Sequence, residues 1–548
     1  MIRQDGKPPL AALGRLGHEG LVGLGLAGLM LPEGVAYAGI AGLPPGRALA
    51  AGVAGGLIYA LAGRSRFAVI SPTSSSAAIL AAAIASLGAS GAPPAALATA
   101  LVAMVGLVFA GLALFRLGSL AGFVSRPVLH GFAFGLACTI IIKQWPAIVG
   151  VKSAGGPVWR VAGGLIAAAP AWNIASLALG AGALAALIAL RRLPQVPGAL
   201  VVMAGGIALA QGADLAGHGV ALAGPVVLAE PVLSLPPLAL VPRLAQLAAP
   251  IALILFAESW GTMRSLALPT GDRLSANREL GALGAANLAS ALAMGMPVGA
   301  GFSAGAANAA AGATSRWSAA TAALALLALA LWAGPLIARI PEPVLAAVVI
   351  AALTHALSPA PFLRLWRIRR DHWIALAAAI GVLALGVLNG MLAAIALSIA
   401  HLLYDLAHPS ISELGEVGDS RDFVDIARHP EAARVANVAI FRPNAPLIFA
   451  NAEATLNAIA ARAHATTAGV VVLSLEETAN LDATALDALV EFAQSFAAGR
   501  RQVILARAHD LVREVLLAAG RADLARNCTY SVADAVAHAA AGWQDSIV

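Results

Sequence analysis

The chain has 548 residues, 60% of them hydrophobic and 11% charged, with a formal net charge of +6 and a mean hydropathy of +0.84. Soluble domains contain about 25% charged residues, so this composition excludes a wholly water-soluble globular protein. The only cysteines are Cys138 and Cys528, which excludes a disulfide framework and a cysteine-based metal site.

Apolar runs of about 20 residues recur between Gly20 and Leu403, and a membrane-spanning helix needs roughly that length. The segment Met1–Gly17 is short and basic and lacks a small-residue cleavage site, so we predict no cleavable signal. The hydropathy pattern predicts about fourteen membrane segments. Their approximate centres are Leu29, Gly55, Ala78, Met104, Gly131, Leu179, Ala204, Leu255, Leu288, Ala307, Leu327, Val349, Ile380 and Ala396.

Lysine and arginine residues set the orientation of these segments. An up-and-down count that starts inside places most of them in the cytoplasm, such as Arg64, Arg191 and Arg367, and fewer outside, such as Lys152 and Arg243. We therefore expect an even number of crossings of the cell inner (plasma) membrane, with both termini in the cytoplasm. Because membrane topology explains the basic residues, no nucleic-acid partner is expected.

Composition changes sharply near His408, after which the chain is rich in charge and has the size of one soluble domain. Strand-like runs lie at Val438–Phe441, Val470–Leu475 and Val503–Ala506. Helical stretches alternate with them at Ala452–His464, Thr484–Ala497 and Leu511–Ala519. This alternation predicts an α/β domain. The predicted domains are a cytoplasmic N-terminus at 1–19, a transmembrane domain at 20–407 and a cytoplasmic α/β domain at 412–548.

The transmembrane part contains a weak internal repeat. Phe123–Leu129 resembles Arg339–Leu345, and each opens the fifth segment of a half that has seven segments. The third and tenth segments are both small-residue stretches interrupted by serine and glycine. Matching interrupted segments in two halves indicate an inverted-repeat transporter and its binding site. We predict one repeat at about 20–212 and the other at about 247–407.

Two carboxylates lie inside apolar segments. Glu33 follows Pro32 in the first segment, and Glu258 lies in the eighth, at the equivalent position of the other repeat. A charge at the bilayer centre costs roughly 2.5–3.5 kcal/mol on insertion scales, so such residues usually face a cavity or a partner. The functional interpretation is cation coupling. The structural alternative is a carboxylate that caps free backbone N–H groups at a helix break, for which Pro32 gives a ready cause.

The third and tenth segments each start with polar or flexible residues. Ser71–Ser76 precedes one apolar run, and Gly299–Gly305 leads into the short stretch Ala306–Ala313. These patterns suit half-helices that begin in mid-membrane with their free N–H groups turned toward an anion. Flexible glycines let the backbone approach a ligand, and Ser303 offers a donor. The alternative is that serine and glycine only permit close packing of helices.

In the soluble domain, the segment Asn480–Thr484 joins a strand to a helix. Helix capping by Asp482 explains this segment without further function. The alternative is that Thr484 is a regulatory residue, phosphorylated or turned toward a partner.

Motifs for chemistry are missing from the sequence. No P-loop or Walker motif supports an ATP-driven pump, and no nucleophile–base motif supports a membrane enzyme. We therefore expect a protein that is not an enzyme and that has no cofactor, with a proton or sodium as the candidate coupling ion.

These stretches resemble the sulfate-permease (SulP) family of anion transporters. Leu31–Ala38 is similar to the family's Pro-Gln-Gly-Met-Ala-Tyr-Ala signature, and Ala41–Pro45 is similar to the element that follows it. Arg428–Pro430 and Ala445–Ala452 resemble the start of the family's C-terminal STAS domain. Further matches occur in order along the chain, at Tyr59–Arg66, Ser71–Thr73, Glu258, Asn277–Leu280, Gly284, Asn287, Phe302–Ser303 and Asn308–Ala313.

The resemblance implies a polytopic α-helical membrane protein with a seven-plus-seven inverted repeat, a core domain, a gate domain and a cytoplasmic STAS domain. It also implies a small anion held between the third and tenth half-helices, cation coupling through Glu258, and a homodimer in the lipid bilayer. Together with the serine and glycine of the two stretches, it gives a candidate substrate site. The members of that site are Tyr37, Thr73, Ser74, Ser75, Gly301, Phe302 and Ser303.

Two positions depart from the family pattern. The family often has Gln where this chain has Glu33, and it commonly has Arg after the Phe-Ser pair, where this chain has Ala304. The first change adds a negative charge near the site and the second removes a positive one. The substrate therefore stays open among sulfate, bicarbonate, dicarboxylate and other anions. The leading function is an elevator-type secondary transporter, and the alternatives are an uncoupled anion channel and a non-transporting anion sensor.

Overall fold

The structure, a computed structural model, describes residues 9–88, 91–153, 155–193, 196, 198–224, 238–418, 420–497 and 499–544. The chain divides into two compact units, Met1–Ser398 and Ile399–Val548. This division falls inside the last apolar helix, whereas composition changes near His408. The domain limits drawn from the sequence stay predictions, and the first residues of the expected cytoplasmic N-terminus, 1–8, lie outside the described residues.

Unit 1 is built from helices and one pair of very short strands. The helices of its first half are α1 (Pro9–Ala41), α2 (Pro45–Ala62), α3 (Ser74–Ser86), α4 (Pro94–Leu114), α5 (Arg126–Ile148), α6 (Val158–Ala167), α7 (Ile174–Leu190) and α8 (Gly198–Gly212). Those of its second half are α9 (Val241–Ala267), α10 (Ala276–Leu292), α11 (Phe302–Ala310), α12 (Trp317–Trp332), α13 (Gly334–Ile337), α14 (Glu342–Leu353), α15 (Ala360–Ile368), α16 (His372–Leu385) and α17 (Val387–Ala407). The strands are β1 (Ile70–Ser71) and β2 (Gly299–Ala300).

All fourteen centres predicted from the sequence fall within helices of this set. Among the described residues, six helices are long and apolar enough to cross a membrane. They cover Gly17–Ala41, Pro45–Ala62, Pro94–Leu114, Arg126–Ile148, Val241–Thr270 and Val387–Ala407. The other apolar helices are shorter, so the count of fourteen crossings stays a prediction.

Helix packing within unit 1 shows the inverted repeat. The seven segments of one half are α1–α5, α7 and α8, and their counterparts are α9–α12, α14, α16 and α17. In one group, α12 packs against α1 and α2, and α4 packs against their counterparts α9 and α10. In the other group, α5 packs against α16, and α14 packs against α7. Each of these contacts has its symmetry mate. We call the two groups the core (α1–α4, α9–α12) and the gate (α5–α8, α14–α17).

The close contact of α5 with α16 depends on glycine. A Cβ atom at Gly131 would lie 2.0 Å from the backbone oxygen of Ala375, and one at Gly135 would lie 2.7 Å from that of Ala379. The two glycines are four residues apart and share one face of α5, as in small-residue helix contacts of membrane proteins. Their lack of side chains lets the two backbones touch.

Unit 2 contains an α/β domain. Its strands are β3 (Ile411–Val417), β4 (Phe423–Asp425), β5 (Ala432–Ala433), β6 (Val438–Pro443), β7 (Val470–Ser474) and β8 (Gln502–Ala506). Its helices are α18 (Ala452–His464), α19 (Ala483–Ala497), α20 (Asp510–Ala518), α21 (Ala522–Arg526) and α22 (Val532–Gln544). The sheet order is β4-β3-β6-β7-β8 with β5 on β3; β6, β7 and β8 are parallel, and β3 is antiparallel to β6.

Helices cover both faces of this sheet, because strand residues alternate between two apolar clusters. Val471 and Leu473 pack with residues of α18, α19 and α20, whereas Val470 and Val472 pack with residues of α22. Because β7 is buried on both faces, its sequence is a nearly continuous apolar run. The strands β7 and β8 and the helices α18–α20 lie within one residue of the predicted ranges, and β6 continues two residues further, to Pro443.

Candidate functional site

The two predicted half-helices start from one place in the core. β1 and β2 pair antiparallel, with Ile70 opposite Ala300 and Ser71 opposite Gly299. β1 leads through Thr73 into α3, and β2 leads through Gly301 directly into α11. The N-terminal ends of two short helices are therefore held next to each other by a strand pair. Free N–H groups and the helix dipole make such ends attractive to anions.

The start of α3 is a capped helix end. The Thr73 hydroxyl accepts a hydrogen bond from the Ser76 backbone N–H at 3.1 Å, and the Ser76 hydroxyl accepts one from the Thr73 N–H at 2.9 Å. The Thr73 and Ser75 hydroxyl oxygens lie 2.8 Å apart. The Ser75 hydroxyl also donates to the Glu258 carboxylate. Hydroxyl groups thus connect the first turn of α3 to a carboxylate on α9.

Adjacent residues of α9 hold both halves of this junction. Glu258 accepts from Ser75 at the start of α3, and the Ser259 hydroxyl accepts from the Ala300 N–H of β2 at 3.0 Å. Ser259 is fully buried. A Cβ atom at Gly299 would lie 2.6 Å from Leu255 Cδ1 and 2.7 Å from Ser259 Oγ, so glycine is what permits this close approach. The Ser259 contact was not predicted from the sequence.

The start of α11 is open by comparison. Its N-cap residue, Gly301, makes no side-chain capping bond and has ordinary backbone angles of φ −72° and ψ 138°. A Cβ atom here would be 3.4 Å from Thr73 Cγ2, so the missing side chain leaves room between the two helix ends. Ser303 is half-buried and its hydroxyl bonds to no described residue, while Phe302 is 50% exposed. The helix begins at Phe302, four residues before the apolar run predicted from the sequence.

Helix α1 brings two further residues to the site. Tyr37 and Glu33 are 6% and 7% exposed, and Tyr37 lies within electrostatic range of both Glu33 and Glu258. Helix α1 continues through Pro32, so no break forms there. Glu33 accepts no hydrogen bond from any described residue. The alternative in which Glu33 caps a broken helix therefore does not describe this structure, and for Glu258 the partner is a hydroxyl group.

The departure at Ala304 has a structural counterpart. Its side chain is 2% exposed and belongs to the same apolar cluster as Leu26 and Ala319. An arginine at this position would need a rearrangement of these neighbours to reach the junction. The chain thus has an apolar contact where the family commonly has a charged side chain.

Another buried carboxylate, Glu279, connects two helices of the core. Glu279 is fully buried and accepts hydrogen bonds from the Tyr59 hydroxyl at 2.5 Å and from the Arg64 N–H at 3.0 Å. These bonds tie the start of α10 to the end of α2. The sequence marks both residues as parts of family-like stretches, but it gives no sign that they meet.

Thr484 belongs to unit 2, whereas the junction of α3 and α11 belongs to unit 1. It is exposed in the first turn of α19. Asp482 caps that helix by accepting from the Ala485 N–H at 2.9 Å, and it also accepts from the Phe449 N–H at 2.7 Å. Capping by Asp482 is therefore present, and a regulatory role for Thr484 stays a prediction.

Within the described ranges, no group of three or more His, Cys, Asp or Glu side chains is arranged to hold a metal ion. The polar groups at the junction are two carboxylates, hydroxyl groups and backbone N–H groups.

An inverted repeat of apolar helices with two short helices meeting in its core, followed by an α/β domain, defines a multi-pass membrane protein of the anion-transporter type. The profile of the Sulfate permease family matches residues 20–379, and that of the STAS domain matches residues 429–535. The chain belongs to the sulfate permease family.

Curated relatives agree with this assignment. A protein of Mycobacterium tuberculosis (strain ATCC 25618 / H37Rv) described as a "Probable sulfate transporter" is 35% identical over 92% of this chain and 91% of its own length. The human "Solute carrier family 26 member 6" is 28% identical over 79% of this chain and 61% of its own length.

Solved structures show the same fold. The murine Solute Carrier 26 family member A9 anion transporter, in the inward-facing state, superposes with a TM-score of 0.87 at 19% identity, covering 99% of this chain and 96% of the other. The transmembrane domain of a cyanobacterial bicarbonate transporter, BicA, superposes with a TM-score of 0.63 at 23% identity, covering 70% of this chain and 97% of the other.

Proposed function

We propose that this protein is a secondary active transporter of a small anion of the sulfate, bicarbonate or dicarboxylate class. The observation that carries the proposal is the junction of α3 and α11, where two helix N-termini, the hydroxyl groups of Thr73 and Ser75, and Glu258 converge. The names of the relatives support an anion as substrate. The protein is a transporter and not an enzyme in this account.

The anion would bind at the open end of α11. The backbone N–H groups of Phe302 and Ser303 and the Ser303 hydroxyl supply donors, and Thr73 and Ser74 supply hydroxyl groups from the opposite helix end. Helix N-termini favour negative charge, which is the same physical basis as phosphate binding. Tyr37, from α1, would close the site from a third direction.

Coupling to a cation would depend on Glu258, with Glu33 beside it. An anion that enters next to two carboxylates is repelled by like charge. Binding of a proton or sodium at Glu258 removes that repulsion, so cation and anion would move together. Because Glu258 bonds to Ser75, its charge also acts on the helix end that contacts the anion.

Alternating access would come from an elevator-like movement of the core against the gate. The junction lies within the core, and its strand pair and Ser259 contact connect elements of the core only. A rigid core can carry a bound anion past the gate without opening the junction. The protein would act as a homodimer in the cell inner membrane with both termini cytoplasmic, and the STAS domain, with Thr484 on its surface, would regulate it.

The test is a panel of radiolabelled anions taken up into proteoliposomes under imposed proton or sodium gradients. The proposal predicts concentrative uptake of at least one anion that collapses when the matching cation gradient is removed. Uptake that only follows the anion's own gradient would identify an uncoupled channel. Binding without any flux would identify a sensor.

A further inference from the structure

Helix α15 (Ala360–Ile368) is a short amphipathic helix between two apolar helices, α14 and α16. At 100° per residue, Arg364 and Arg367 fall on one narrow stripe of this helix. Leu363, Leu365, Trp366 and Ile368 occupy the rest of its circumference. The helix is thus apolar over most of its surface and cationic along one side.

Helix α15 contacts another helix of the gate through an aromatic side chain. The ring of Phe362 packs edge-on against Phe134 of α5, with ring centroids 5.3 Å apart. Three of its other apolar side chains are largely exposed: Leu363 is 62% exposed, Trp366 67% and Ile368 54%. Leu365 is half-buried, and the ring of Trp366 lies 5.0 Å from that of His372, centroid to centroid. Large exposed apolar side chains in such a cluster mark a surface that binds a partner or a membrane.

The charge next to this apolar surface is strongly positive. Arg364, Arg367, Arg369 and Arg370 are exposed, and none of them pairs with a carboxylate among the described residues. His130 of α5 lies within electrostatic range of Arg364, and also of Arg126 on its own helix. Asp371 is the single acidic residue between positions 358 and 373 and forms no ion pair with a described residue. This face therefore has positive charge without internal compensation.

We propose that α15 lies in the plane of the membrane surface and binds the headgroups of anionic phospholipids through Arg364 and Arg367, with Arg369 and Arg370 beside them. Amphipathic helices with tryptophan and leucine on one face and arginine on the other bind in this way. Tryptophan favours the interface between headgroups and hydrocarbon, and arginine side chains extend from that depth toward the phosphates.

The exposed apolar residues indicate that the ligand of these arginines is a phospholipid and not a free phosphate ion. A free anion would neutralise the arginines but would leave Leu363, Trp366 and Ile368 in water. A phospholipid supplies negative charge at the headgroup and acyl chains a few ångströms deeper, which matches the arrangement of the helix. The arginine-rich surface of α15 shares no residue with the junction of α3 and α11. Lipid binding at α15 therefore does not depend on which anion is transported.

The experiment measures equilibrium binding of fluorescent phosphatidylglycerol and fluorescent phosphatidylcholine to the purified full chain in detergent. The test variant is Arg364→Gln/Arg367→Gln. The matched control is Arg192→Gln/Arg273→Gln, which removes two exposed arginines from loops of the same unit. Arg364→Lys/Arg367→Lys keeps the charge and controls for folding.

The expected result is tighter binding of phosphatidylglycerol than of phosphatidylcholine by the wild type. Loss of two cations should weaken phosphatidylglycerol binding about 30-fold in the Gln variant, with little change in the Lys variant or the loop control. In the wild type, raising salt should weaken binding of the charged lipid alone, since exposed charges are screened. Equal preference for both lipids in the wild type, equal losses in the loop control, or full competition by inorganic phosphate would overturn the proposal.

Discussion

Ser303 is the residue at the open end of α11 whose hydroxyl has no partner among the described residues, while Thr73 and Ser75 are engaged in hydrogen bonds at the end of α3. A ligand that binds at the junction would find a free donor at Ser303. A net hydrogen bond contributes about 0.5–1.5 kcal/mol, so Ser303→Ala should weaken anion affinity roughly 2- to 12-fold.

This change is measured as the KM for anion uptake and as a dissociation constant in detergent. Ser265→Ala is the control, because Ser265 lies on α9 and bonds only to the Thr262 backbone oxygen. Ser303→Thr keeps a hydroxyl group and should keep most of the affinity. An unchanged dissociation constant in folded Ser303→Ala protein would remove Ser303 from the binding site.

At the residue scale, the sequence predicts which residues are functional candidates better than it predicts which residues contact one another. Glu258 stands out because a carboxylate within an apolar run is costly, and this rule needs no structure. The bond from Ser75 to Glu258 joins residues far apart in the chain, so no local pattern can predict it. Ser259 shows the same limit, since serine in a membrane helix is as consistent with packing as with capping β2.

Gly299 and Gly301, in the segment formed by β2 and α11, have different structural roles. Two alanine variants distinguish these roles. In Gly299→Ala, the new Cβ would overlap Leu255 and Ser259 and displace β2 from α9. Overpacking of this kind costs about 1–3 kcal/mol, so the protein should unfold at a lower temperature. In Gly301→Ala, the new Cβ would make an ordinary contact with Thr73, so stability should hold while anion affinity falls.

Thermal unfolding in detergent and anion binding measure these two effects on the same samples. Gly301→Ala serves as the control for stability, and Gly299→Ala tests whether the strand pair is under steric constraint. The opposite order of stabilities, with Gly301→Ala the weaker protein, would contradict the packing described here.

At the element scale, helices and strands with a strong apolar pattern can be predicted from the sequence. A strand that is stabilised mainly by pairing with a neighbouring strand cannot. Helices α18 and α19 follow from their apolar spacing, and the buried strands β7 and β8 follow from short continuous apolar runs. Strand β3 contains Gly415 and two glutamates and was not predicted, because its stability comes from antiparallel pairing with β6. Helix α11 begins earlier than expected, because β2 ends at Ala300 and a single residue, Gly301, separates the strand from the helix.

At the scale of the whole molecule, the two units have separate apolar cores. The clusters of unit 2 contain only residues of that unit, and the junction of α3 and α11 contains only residues of unit 1. Deleting residues 412–548 should therefore change the rate of transport, the expression or the assembly, while the ranking of anions stays the same. Initial uptake rates for three anions, normalised to protein in the vesicle, measure this. A folded truncated protein with a changed ranking would place part of the selectivity in unit 2.

The inverted repeat is also a property of the whole molecule. The sequence shows it through the similarity of Phe123–Leu129 to Arg339–Leu345 and through the interrupted third and tenth segments. The helix contacts show the repeat more clearly than the sequence does, since α12 contacts α1 and α2 in the same way as α4 contacts α9 and α10. Symmetry of helix contacts is constrained by the shape of the core, whereas individual apolar residues can be exchanged within it.

The central claim is that Glu258 couples cation binding to anion binding at the junction of α3 and α11. It is tested most directly by comparing gradient-driven uptake with anion exchange for Glu258→Gln in proteoliposomes. Glutamine mimics the neutral form of the carboxyl group and can still accept from Ser75. We expect this variant to retain anion exchange and to lose its response to the cation gradient, while Glu33→Gln retains the response. Full gradient-driven uptake by folded Glu258→Gln protein would contradict the account.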